Sequence, residues 1–165
     1  MIAVGSLGDA GLASGYWRQL YTPAEVDAIV ETSASTLIVS RRQPVHVRVY
    51  MQSEPAPTVL LGHGLLRYGL FLGHVHLALH KSGFNVVQFD MPGFGMSGGA
   101  RGTCSPATVV EAWETVLAFT HDRFGFPLYL LGLDEDCSFV YNIAANRPEV
   151  AAASLHILLD PATPS

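Results

Sequence analysis

Four short apolar runs constrain this chain more than anything else in it. "TVLLGHG" (58–64), "FNVVQFDMPG" (84–93), "PLYLLGLD" (127–134) and "ASLHILLD" (153–160) each stop at glycine or aspartate, and segments of helical period separate them. Runs this short and this uniformly apolar fit strands buried on both faces, which is the habit of a parallel sheet covered by helices. Parallel neighbours need a crossover between them, and the helical segments supply it, with right-handed connections expected. The pattern predicts an α/β fold with a mostly parallel sheet and helices on both faces.

The chain before these runs reads differently. Residues 1–20 are glycine-rich and show no convincing period, so they are expected to form a loosely held arm. "TPAEVDAIVETS" then offers Thr22 as N-cap, Pro23 at the first helical position and Glu25 to complete a capping box, with Val26, Ile29 and Val30 as the buried stripe. "STLIVSRRQPVHVRVYMQ" predicts an antiparallel hairpin turning between Arg41 and Pro44. The alternation in "VHVRVYM" suggests one wet face and one buried face.

Farther along, "SPATVVEAWETVLAFTHDRFG" begins with a capping Ser105 and Pro106, carries Val109, Trp113, Val116 and Leu117 on one stripe, and stops at Gly125. With 165 residues, 49% hydrophobic and 14% charged, one domain over 1–165 with a substantial core is expected. A formal charge of −5, with scattered lysine and arginine, argues against nucleic acid as a partner. No stretch has transmembrane length and the start lacks the pattern of a secretory signal, so a cytoplasmic protein is expected. Two cysteines, Cys104 and Cys137, are too few for a disulfide framework or a zinc cage and read as ordinary thiols. Nothing in the sequence calls for a cofactor or a metal.

Three motifs in order, "LLGHGLL", "FDMPGFGMSGG" and "LLGLDEDCSFVYNIAANRPE", resemble the α/β-hydrolase family. The type most similar is that of monoglyceride lipases (lysophospholipase-like) and serine aminopeptidases, through "DMPGFGMSGGARGTCS". The resemblance covers residues 36–161 and implies an incomplete α/β-hydrolase fold with an N-terminal hairpin, lacking the last two strands and lid. It implies that His63 and Gly64 end the family's third strand, with the Leu65 backbone N–H as one oxyanion donor and that of Glu135 as the other. It also implies a small apolar ester-type ligand.

In such hydrolases a serine sits on a sharp strand-to-helix corner. Here that corner is Gly132-Leu133-Asp134-Glu135-Asp136, so Asp134 occupies the nucleophile position and Asp136 replaces the second glycine. A carboxylate can act as nucleophile through an ester intermediate, and some members of the fold use aspartate in this way. Against this, three consecutive carboxylates repel one another and oppose a developing oxyanion, while the following helix N-terminus favours their negative charge as a simple cap. The bulk of Asp136 is expected to loosen the corner. Ser97 satisfies G-x-S-x-G literally but lies in a glycine-rich loop instead of between strand and helix, and reads as structural.

Asp160, at the end of the run counted as the sixth strand, can serve as the acid or simply form a turn before Pro161. No residue matches the family's catalytic histidine. His76 and His80 stand four apart on the first crossover helix, near His74, and read as a packed or solvated face more readily than as metal ligands. Without further strands, 154–159 would form an unpaired apolar edge expected to self-associate or to take a partner chain. The sequence therefore supports a catalytically degenerate hydrolase, a pseudoenzyme or the N-terminal portion of a larger one. The alternatives are an active hydrolase of esters, epoxides or haloalkanes using Asp134, and a binding module using the sheet edge.

Overall fold

A computed structural model describes residues 22–25, 27, 33–40, 43–63, 73–125, 127–133 and 136–147. Its sheet has five described strands: β1 (Ser33–Val39), β2 (Pro44–Tyr50), β3 (Thr58–Leu61), β4 (Asn85–Phe89) and β5 (Leu128–Leu131), in the order β1-β2-β4-β3-β5. β1 and β2 form the expected antiparallel hairpin, with Ser33 opposite Tyr50 and Val39 opposite Pro44. β2 runs antiparallel to β4, and β3 runs parallel to both β4 and β5. The strand expected over 154–159 and the arm over 1–20 lie outside the described residues.

Among the described residues, a long helix follows each of the three parallel strands: α1 (Gly73–Lys81), α2 (Pro106–Phe124) and α3 (Asp136–Asn146). α2 starts as its sequence dictates. The Ser105 hydroxyl accepts from the Thr108 N–H at 3.3 Å, the Thr108 hydroxyl accepts in return from the Ser105 N–H at 3.0 Å, and Pro106 needs no donor. It ends at Gly125, whose φ of 66° few other residues tolerate. An earlier helical turn holds Pro23, Ala24 and Glu25 and is capped by Thr22. Its expected stripe, Val26, Ile29 and Val30, lies outside the described residues.

Side chains alternate across the sheet, so β3 and β5 each feed two cores. Leu60, Val87, Phe89, Leu128 and Leu130 pack with Val45, Val47 and Val49 beneath α2 and α3. The other face gathers Val59, Leu61, Leu131 and Leu133 against Val75 and Leu79 of α1. Trp113 is fully buried and meets Phe89 edge-on at 5.1 Å.

One expectation fails on β2. The face of His46, Arg48 and Tyr50 predicted to be wet is buried along with the other. β2 is an inner strand with β1 and β4 on its two sides; α1 covers Tyr50, where the fully buried His76 lies 5.1 Å from its ring, ring centre to ring centre, and Asp90 meets His46. Alternation of polarity therefore marked alternating chemistry on β2, with no alternation of solvent.

Candidate functional site

The carboxyl ends of β3, β4 and β5 meet where Gly62-His63, Asp90-Met91 and Gly132-Leu133 leave the sheet. In open α/β sheets this is the end at which ligands bind. His63 is 0% exposed, and its Nε2 accepts the Met91 N–H at 2.8 Å. An imidazole nitrogen that accepts carries no proton, so a neutral His63 holds its proton on Nδ1. The Phe94 ring stands edge-on to it at 6.5 Å.

The end of β5 and the start of α3 close on each other. The Asp136 N–H donates to the Leu133 carbonyl at 3.2 Å, and α3 begins at Asp136. A Cβ on Gly132 would lie 2.8 Å from both the Asp136 carbonyl oxygen and Val140 Cγ2, so the strand and helix approach closer than any side chain there permits. The looser corner expected from Asp136 is therefore not found at Gly132. The carboxylate swings across to β3 instead: it is buried and fills, together with the edge of Trp113, the space a Cβ on Gly62 would occupy. The missing second glycine of the corner is thus compensated by a glycine 74 positions earlier.

The other sequence candidates divide clearly. Gly64, Leu65, Asp134, Glu135 and Asp160 lie outside the described residues, as does His156. Ser97 is described and is structural: 1% exposed, it donates its hydroxyl proton to the Asp90 carbonyl at 2.6 Å and accepts the His46 N–H at 2.9 Å. His76 and His80 both face the Tyr50 ring, and His80 Nε2 lies 3.1 Å from the Met51 carbonyl oxygen. Among the described residues no three His, Cys, Asp or Glu side chains are grouped to hold a metal ion. No described helix is long and apolar enough to cross a membrane.

Sequence reasoning missed a buried pair beside the site. His46 Nδ1 lies 2.9 Å from Asp90 Oδ2, and the same oxygen accepts the Met96 N–H at 3.0 Å. The available signal was a histidine on a strand adjoining one that ends in Asp90, but only the β2–β4 register brings the two together. Cys104 packs at the rim of the core, where burial raises its thiol pKa and the Asp136 carboxylate adds in the same direction. It stays a thiol at neutral pH and is a poor nucleophile. A groove of about 560 Å³ follows Pro106, Ala107, Val110, Glu111, Glu114 and Thr115 on α2, and none of these residues belongs to the corner.

Comparison with known proteins agrees with this geometry. A family model described as serine aminopeptidase, S33, matches residues 53–133, the stretch from the entry into β3 to the end of β5. No curated protein matches the chain. Among solved structures, a thioesterase domain from the curacin biosynthetic pathway is 26% identical with a TM-score of 0.63, over 72% of this chain and 41% of that one. A thermostable carboxyl esterase from Bacillus coagulans is 19% identical with a TM-score of 0.64, over 77% and 44%. An epoxide hydrolase from Vigna radiata is 22% identical with a TM-score of 0.63, over 81% and 42%. The chain spans about two fifths of the length of these structures.

Proposed function

For a chain that belongs to the α/β-hydrolase family, we propose that these 165 residues form the strand-and-corner portion of a hydrolase scaffold and carry out no serine-dependent acyl transfer of their own. The observation supporting this reading is how Ser97 and the described histidine side chains are engaged. A nucleophilic serine needs a hydroxyl that faces the ligand and a base within hydrogen-bond reach of it. Ser97 spends its hydroxyl on two backbone groups, and His63 Nε2 is taken by the Met91 N–H. His46 faces Asp90 in the interior, and His76 is buried on Tyr50. His80 and His121 sit in the last turns of α1 and α2, at the end of the sheet opposite the corner.

The test uses the whole chain. Incubation with a fluorophosphonate probe should leave the intact mass unchanged, and short-chain p-nitrophenyl esters should turn over no faster than in buffer. A serine adduct located by peptide mapping would overturn the proposal.

A second reading is favoured by the acid at the elbow position and by the likeness in fold to an epoxide hydrolase. An Asp134 carboxylate oxygen attacks an epoxide carbon, the carbon–oxygen bond of the ring breaks, and the departing oxygen takes a proton from water; a further water then hydrolyses the ester, returning the carboxylate and releasing the diol. The buried Asp136 carboxylate two residues away opposes the negative charge that builds on that oxygen. This reading expects a covalent adduct with an aryl epoxide, absent in Asp134→Asn, and absence of any adduct in the wild-type chain removes it.

A further inference from the structure

The buried His46–Asp90 pair has no part in either reaction above, yet it joins three segments that the sequence keeps apart. β2 contributes His46, the end of β4 contributes Asp90, and the glycine-rich loop that follows contributes Met96 and Ser97. The Asp90 carboxylate receives His46 Nδ1–H at 2.9 Å and the Met96 N–H at 3.0 Å. Its own backbone is pinned as well: the Asp90 N–H donates to the His46 carbonyl at 2.9 Å, and the Asp90 carbonyl accepts from Ser97. The loop is tied down again where the Gly98 N–H meets the Pro44 carbonyl at 2.8 Å. A Cβ on Gly95 would overlap the Asp90 carboxylate, so the loop wraps the acid closely. The residue directly after Asp90 is Met91, whose N–H holds the ring of His63.

We propose that His46 and Asp90 act as a positioning pair: their contact sets the loop 91–98, and through the Met91 N–H it locks His63 in one tautomer and one orientation at the mouth of the candidate site. The assignment rests on reading the His63 turn as an edge of that site. A carboxylate is the right partner for this task, because it accepts from a side chain and a loop N–H at once, and charge-assisted bonds are stronger than neutral ones. Burial raises the stakes, since water cannot replace a lost partner without entering the core. His46 Nε2 has no partner among the described residues, which leaves Nδ1 as the nitrogen through which the ring acts.

The experiment is long-range 1H–15N correlation of the histidine rings in the full chain, with amide hydrogen exchange on the same samples. In the wild type, His63 shows a protonated Nδ1 and an unprotonated Nε2. In His46→Phe, the Met91 and Met96 amides exchange at least about tenfold faster while Val116 and Leu117 in α2 keep their protection. His63 moves toward the averaged pattern of a ring that samples both tautomers. His46→Gln, which keeps an N–H able to reach the acid, restores both signals. Where His46→Phe does not fold, Asp90→Asn is read in its place and moves His63 in the same direction. An unchanged His63 pattern in the folded variant, or equal loss of protection in the loop and α2, overturns the proposal. Neither readout involves turnover, so the outcome stands apart from that of the ester and epoxide assays.

Discussion

A Cβ on Gly62 would overlap both the Asp136 carboxylate and the Trp113 indole, two groups that approach from different helices. Such a position tolerates nothing larger than hydrogen, and overpacking in a close-packed interior costs about 1–3 kcal/mol. Gly62→Ala is accordingly expected to lower the unfolding free energy by about that amount in urea titration. Adding Asp136→Gly should return part of the loss, because the carboxylate leaves and the indole stays. A double variant no more stable than Gly62→Ala would show that the acid is not the obstacle. The sequence could identify Gly62 as part of a strand-ending turn, but its neighbours stand 51 and 74 positions away and only the folded chain names them.

Caps are the level at which sequence and structure agree most closely, because a cap is a contact between residues three apart and needs no tertiary help. Thr22 and Glu25 close the expected box: the Thr22 N–H and hydroxyl both donate to Glu25 Oε2, at 2.9 and 2.8 Å, and the Glu25 N–H donates to the Thr22 hydroxyl at 3.4 Å. The backbone bond from Thr22, reinforced by its hydroxyl, holds the Glu25 carboxyl below the ordinary glutamate pKa. A carboxyl depressed in the folded state contributes stability above its unfolded pKa and loses that contribution as the pH falls through the folded value. The turn over 23–25 is thus expected to fray only at pH below the normal glutamate range. An NMR titration should place the Glu25 midpoint below that of a free glutamate, and Thr22→Ala should raise it back; an ordinary midpoint in the wild type would refute the box. β2 illustrates where element-level reading stops. Its alternation was legible, but whether the polar face met water or protein depended on partners far along the chain.

At the scale of the molecule, Trp113 connects the layers. It lies in the core shared by β2, β3, β4, β5, α2 and α3, meets Phe89, and reaches the end of β3 at Gly62. Removing a buried tryptophan side chain costs about 3–5 kcal/mol, a large part of the 5–15 kcal/mol that holds a typical domain together. Trp113→Ala is expected to abolish a sharp cooperative thermal transition and to collapse the near-ultraviolet circular dichroism, and retention of both would mean that the core is organised without it. The sequence by itself determined the alternation of strands and helices, the N-terminal hairpin, the capped start and glycine stop of α2, and the likeness to hydrolases. These are properties of local period, local hydrogen bonding and motif order. Only the tertiary structure decided the burial of both faces of β2, the pairing of His46 with Asp90, the binding of His63 to the Met91 N–H, and the lodging of Asp136 against Gly62. Each of those joins residues on separate strands or helices, and the geometry that brings them within hydrogen-bond or van der Waals range exists only after the sheet has formed.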